Sequence, residues 1–229
     1  MTTREAIEDL PRLTAHLEGR DRKGTRVLDG VVEYREDVTP SAYARSMRSW
    51  PGFATNGVTT AHVTRCLTQR DYRLFERLDP GDDYPRALAL AKELFGRHMA
   101  ELGAEAPRRG SARWRELRRR YVPPYDPGKF PNKWRKMAGD EPARTLMAHL
   151  SKDTYSHIHY DSEQARTITV REAARLQSFP DGFVFRGSMN PAFRQIGNSV
   201  PPVMAAAIAR QLLGSVLPKG RQARMGGEE

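Results

Sequence analysis

The longest uninterrupted apolar run in this sequence is Val203–Ala209. A helix that crosses a bilayer needs about 20 apolar residues in succession, so the chain is read as one that folds in water with no membrane partner. The opening MTTREAIEDLP is polar and holds no apolar segment of the secretory kind. With 229 residues the chain is long enough for one large domain or two small ones. Its single cysteine, Cys66, excludes an internal disulfide framework and a multi-cysteine metal centre. Lysine and arginine total 38 against 28 aspartates and glutamates, giving a formal charge of +10. The sequence pI is near 10.0 and the mean hydropathy is −0.69. A charge of that sign and size points to a polyanionic partner, nucleic acid first, and to a cytoplasmic protein held at the nucleoid by that partner.

Four stretches separate along the chain. In the first, Thr2-Thr3-Arg4-Glu5 has the form of a capping box, followed by Ala6, Ile7 and Leu10 at near-helical spacing and stopped by Pro11. Short strands are expected at Val27-Leu28 and Val31–Tyr34, then an irregular but ordered loop over Pro40–Thr60. The second stretch is helical: Gln69–Leu78, then a longer helix from Pro85 with Leu88, Ala91, Leu94, Phe95, Met99 and Leu102 on one side. The third, Arg108–Arg120, holds seven arginines and one glutamate around Trp114, which suits contact with phosphates. The fourth opens with the turn-rich YVPPYDPGKFPNKW and reads as short strands around Arg144–Leu150 and Tyr155–Tyr160. A second capping box, Thr169–Glu172, starts a helix ending before Pro180; another begins at Pro201-Pro202 and ends at Gly214. The tail 218–229 lacks apolar periodicity and is expected to be disordered.

No self-contained catalytic constellation emerges from the residues. His157-x-His159 could put two imidazoles on one strand face, yet no further ligands stand at a supporting spacing, so no metal site is assigned. Cys66 lies between Arg65 and Leu67 and reads as a quiet core residue. No GxG loop, Walker A or G-x-S-x-G occurs.

The strongest local signal lies near the end. Arg166–Asp181 reads RTITVREAARLQSFPD, and Gln195–Pro202 reads QIGNSVPP. In wording, order and spacing these resemble blocks nine and ten, the last two conserved blocks of the DNA (cytosine-5) methyltransferases. YDPGKFPNKW (Tyr125–Trp134) and PARTLMAHLSKD (Pro142–Asp153) resemble the target recognition domain of the bacterial members, and REAIEDLP (Arg4–Pro11) resembles the segment before it.

The resemblance implies an α+β fold: a small target-recognition domain of irregular short strands and helices, plus C-terminal helices that would complete an α/β S-adenosylmethionine-dependent methyltransferase domain. The implied division is 1–26 as a joining segment, 27–165 as the recognition domain, and 166–217 as blocks nine and ten. The family's catalytic half should precede these: an FxGxG loop, a Pro-Cys-Gln nucleophile loop, a Glu-Asn-Val segment and a Gln-x-Arg-x-Arg segment. None occurs here. In this chemistry a thiolate adds to cytosine carbon 6 and an acid assists near ring nitrogen 3, so that carbon 5 can take the methyl group. The resemblance therefore implies no catalytic residue in this chain, and activity only beside a separate polypeptide carrying FxGxG and Pro-Cys-Gln. A start placed too late in a longer gene fits the sequence equally.

Residue by residue, the resemblance implies duplex-DNA contacts from Lys129, Lys133, Trp134, Arg135, Lys136, Arg144, Thr145, Leu146 and Lys152. Thr145-Leu146 matches a pair that stabilises the flipped-out base. Arg171, Glu172 and Arg175 would tie the recognition domain to the catalytic domain. Asn198, Ser199 and Val200 would line the S-adenosylmethionine pocket, a composite site completed by the catalytic half; Ser199 also reads as an N-cap for the last helix. The rival expectation is a stand-alone, sequence-selective DNA-binding protein that has lost catalysis. For the two-chain reading, the last helix should expose apolar surface over Val203–Leu213.

Overall fold

The structure, a computed structural model, describes residues 1–14, 20–22, 25–28, 30–130 and 133–216. Helix α1 (Thr3–Ile7) starts on the expected capping box: Thr2 Oγ1 accepts from Glu5 N, and the Glu5 carboxylate accepts from Thr2 N. Strands β1 (Arg20–Arg22), β2 (Thr25–Val27) and β3 (Val32–Glu33) follow, then α2 (Ala42–Arg48), β4 (Val58–Thr59) and β5 (Val63–Arg65). Three helices come next: α3 (Gln69–Arg77), α4 (Tyr84–Leu102) and α5 (Ala112–Arg119). A long irregular segment holds a 3-10 turn at Ala148–Ser151, and the chain closes with α6 (Val170–Leu176), α7 (Met189–Asn198) and α8 (Pro202–Val216). The strands form two small antiparallel sheets, one in the order β1-β2-β5 with Val27 opposite Val63, the other pairing β3 with β4. Among the described residues no helix is long and apolar enough to cross a membrane.

Elements with strong periodicity and caps fall where the sequence places them. Asp83 caps α4 through Arg86 N, with Pro85 in the first turn, and the apolar stripe of α4 buries Leu88, Ala91 and Phe95. Thr169 and Glu172 form the second capping box at the start of α6. Other expectations are corrected. The loop over Pro40–Thr60 contains α2, capped by Ser41 and anchored by Ala44 and Met47. The expected strand at Arg144–Leu150 is a turn, and Tyr155–Tyr160 makes only single-residue bridges from Ile158 to Lys136 and Thr167. Helix α7 has no counterpart in the sequence reading: Pro191 and Gly197 mask its periodicity, and Met189, Ala192, Phe193 and Ile196 bury one side of it. Ser199 caps the C-terminus of α7 rather than starting α8, and α8 runs through Gly214 to Val216. The expected disordered tail lies outside the described residues.

Two apolar cores organise the chain. The first joins Ala6, Ile7 and Leu10 to Tyr34, Leu146, Leu150, Ile168 and the buried sides of α6 and α7. It draws on all three expected parts of the chain, so none has a core of its own there. The second packs α3 and α4 around Trp134, Ile158 and Ala165. Trp134 meets Phe75 edge-on at 5.3 Å and Tyr155 at 5.4 Å between ring centroids, contacts worth about 0.5–1.5 kcal/mol each beyond burial.

Candidate functional site

Helix α6 is the polar hub of the molecule. Its buried Glu172 accepts from both terminal nitrogens of Arg166 at 2.7 Å and from Thr169 N at 2.7 Å. Burial pushes the Glu172 carboxyl up, but Arg166 outweighs it and holds the group near 2. Arg166 Nε also donates to Leu13 O, which brings the N-terminal segment against this end of the helix. One turn on, Arg175 donates to Asp181 through Nε at 2.8 Å and to Asp9 through Nη1 at 3.0 Å. Burial by itself lowers the Arg175 guanidinium; the two carboxylates hold it above the ordinary arginine value. Asp9 also takes Arg48 from α2, and Asp181 takes the Tyr34 hydroxyl at 2.6 Å. Arg171 points the other way, donating to the carbonyls of Thr60 (3.0 Å) and Phe183 (3.1 Å). Arg171, Glu172 and Arg175 thus join the N-terminal segment, β4–β5 and block nine into one piece. Buried charges at these positions are tolerated because each meets a partner.

The GNSVPP segment sits directly on this hub. Gln177 Nε2 donates to Ser199 O at 3.0 Å, and Ser178 Oγ accepts from Val203 N at 3.2 Å. Ser199 Oγ is turned inward on Ile196 O. Asn198 and Val200 face solvent, and the Asn198 carboxamide makes no hydrogen bond among the described residues. The result is a fixed edge with an open side, one amide and one apolar group pointing outward. Beyond it α8 carries Val203, Met204, Ile208, Leu212 and Leu213, each 44–59% exposed. No side chain from Pro202 to Ser215 is buried.

On the other side of α7 the backbone comes very close to the 147–148 peptide. A Cβ on Gly197 would lie 2.6 Å from Ala148 N, so only glycine fits. That contact positions the wall of a cleft of about 490 Å³ lined by Lys129, Phe130, Lys133, Thr145, Met147 and His157, among others. Lys133 is already paired with Asp153 at 2.7 Å and lies over the Tyr125 ring. Arg144 and Lys152 are exposed and Arg135 is half-buried, all outside the cleft lining.

Three residues of the expected DNA-contacting set are inside the protein. Trp134 is the centre of the second core. Lys136 is buried, with Nζ donating to Phe75 O at 2.9 Å and to Ser162 Oγ; burial lowers it to about 8. Leu146 belongs to the first core, leaving exposed Thr145 as the member of that pair at the cleft. A base edge or phosphate cannot reach a side chain without accessible surface. The two histidines of His157-x-His159 are both buried and both engaged. His157 meets Ser156 Oγ and Arg144 O, while His159 Nδ1 accepts from Asp161 N at 3.1 Å. Burial keeps His159 neutral, so Glu172 is paired with Arg166 and only in polar contact with His159. Among the described residues no cluster of three or more His, Cys, Asp or Glu could hold a metal ion.

Asp9, Tyr34, Arg166 and Asp181 complete the hub, yet the residue-level reading assigned them no role. Asp9 and Asp181 are far apart in sequence, and only folding places them on one guanidinium. Both segments carry several other charges, so no local pattern singles out these partners.

Comparison with known proteins gives the family. The family model described as C-5 cytosine-specific DNA methylase matches residues 77–214. M.OihORF3336P of Oceanobacillus iheyensis, named as a type II methyltransferase, is 48% identical over 145 residues, 63% of this chain and 31% of its own length. The type II methyltransferase M.Bpa9945I of Bacillus paralicheniformis is 31% identical over 215 residues, 92% of this chain and 40% of its own. A crystal structure of a prophage-encoded DNA modification methyltransferase of E. coli has the same fold at a TM-score of 0.51. It is 17% identical, over 93% of this chain and 47% of that one. The chain thus spans less than half the length of these relatives. With its matched region covering blocks nine and ten and most of the second core, the chain belongs to the C-5 cytosine-specific DNA methylase family.

Proposed function

We propose that this chain is the target-recognition and cofactor-wall half of a DNA (cytosine-5) methyltransferase, acting with a separate polypeptide that carries the thiolate. The observation that carries this reading is α8. A helix apolar on several sides is ordinarily buried; this one is fully outside the two cores, directly after an anchored GNSVPP edge. A methyltransferase sheet supplied by the second polypeptide would cover α8 and close the open side of the edge. Asn198 and Val200 would then face S-adenosylmethionine, which supplies the methyl group when bound. Their exposure, and the unengaged carboxamide of Asn198, suit a polar cofactor with an apolar flank. The cleft beside Thr145 and Lys129 would hold the DNA strand near the flipped base, with Gly197 fixing its distance from the cofactor edge.

The test is reconstitution. The chain is purified with and without a polypeptide bearing FxGxG and Pro-Cys-Gln, and transfer of a labelled methyl group to duplex DNA is measured. Transfer that requires both chains is the expected result. Transfer by this chain alone, or failure of the two to associate, overturns the reading. DNA binding by a chain that takes no such partner points to a stand-alone binder.

A further inference from the structure

The arginine run Arg108–Arg120 plays no part in the cleft described above: none of its residues lines that cavity. It faces a second cavity of about 520 Å³, between the start of α3 and the end of α5, whose lining includes Arg70, Arg73, His98, Arg119, Arg120 and Tyr121. The carboxylates nearby are already used. Arg70 pairs with Asp71 at 2.7 Å, and Arg120 with Glu116 at 2.6 Å. Asp71 is itself buried and accepts the Tyr155 hydroxyl. Arg73 and Arg119 are exposed and, among the described residues, have no carboxylate within 4.0 Å. Arg73 lies 5.7 Å over the Tyr121 ring, and Tyr121 stacks on His98 at 5.1 Å, so the cavity has a packed aromatic floor. Such a floor limits the freedom of the guanidinium that an anion would meet.

We propose that this α3–α5 surface is a second duplex-DNA contact, which binds backbone phosphates outside the recognition cleft without reading sequence. It rests on the DNA-binding role proposed above. Arg73 and Arg119 can each fork onto a phosphate with no competing acid to displace. The positive charge continues along α5 through exposed Arg113 and Arg115, which also lack carboxylate partners among the described residues. A single small phosphate has no use for that extension; a repeating phosphodiester backbone does. The contact would hold the flank of the duplex while the cleft engages the target base.

The experiment measures binding of the 229-residue chain to a duplex of unrelated sequence across a salt series. Arg73→Gln with Arg119→Gln should lower the salt slope by about 1.8, since each lost phosphate contact removes about 0.9. The weakening should be the same on every duplex, with an unchanged unfolding midpoint. Arg119→Gln alone, at an exposed position, should lower the slope by about 0.9, and keeps the test informative if the double variant misfolds. Lys129→Ala reports on the cleft separately. Unchanged slope and affinity in both arginine variants, with an effect of Lys129→Ala, overturns this contact and leaves the recognition reading intact. An effect of the arginine variants alone supports this contact and counts against the cleft. A wild-type chain that binds no duplex at low salt overturns both.

Discussion

The Nη1 of Arg175 donates to Asp9 Oδ1 at 3.0 Å, and the same guanidinium donates through Nε to Asp181 at 2.8 Å. All three residues are buried, so removing one partner leaves an uncompensated charge in the interior. Arg175→Leu or Asp9→Ala should therefore cost about 3–5 kcal/mol, read as a lowered urea midpoint. Asp9→Ala should also release Arg48, which shares that carboxylate. A loss below about 1 kcal/mol, the range of surface pairs, would mean that the hub does not carry the fold.

Gly197→Ala tests the approach of α7 to the 147–148 peptide. The added methyl meets backbone atoms that cannot rotate away, and overpacking of this kind costs about 1–3 kcal/mol. Because Met147 lines the cleft, DNA binding should weaken beyond what the stability loss explains. Binding equal to wild type at a temperature where both are folded would show that the cleft tolerates the shift.

Buried histidines set the acid limb of stability. Burial lowers His62 and His157 from 6.5 to about 4. The unfolded chain binds these protons near 6.5 and the folded chain only near 4, so protonation favours unfolding in that window. Stability should be complete above it and fall as pH drops through it, by about 3 kcal/mol per histidine. Among the described residues neither His62 nitrogen has a hydrogen-bond partner, so His62→Leu should flatten this slope. Glu172 adds a lower step: its stabilisation, present above 4.5, is lost as pH falls toward 2. Chemical unfolding across this range reads both steps, and a flat profile between about pH 7 and pH 4 would contradict the first.

Charges placed on α8 should separate folding from assembly. Ile208→Asp with Leu212→Asp alters exposed positions, so the stability of the isolated chain should change by less than about 0.5 kcal/mol. Co-purification with the proposed catalytic polypeptide should be lost, because the charges would be buried without partners. Retained co-purification would mean that α8 is not the joining surface.

The family and the elements with strong local signals are legible from the residues alone. The Thr2–Glu5 and Thr169–Glu172 caps, the α4 stripe and the GNSVPP string are each carried by neighbouring residues, so spacing suffices to read them. The sequence also foretold the exposed apolar side of α8, because the family resemblance puts a catalytic sheet against that helix. Which lysines and aromatics remain accessible depends on how distant segments pack. Trp134 and Lys136 look like surface groups in NKWRK, yet α3 and α4 close over them. Helix α7 and the partners of Arg175 were likewise invisible. The first is held by packing on Met147 and Leu150 rather than by periodicity. The second is a contact between residues 9, 175 and 181 that exists only once the chain has closed on itself.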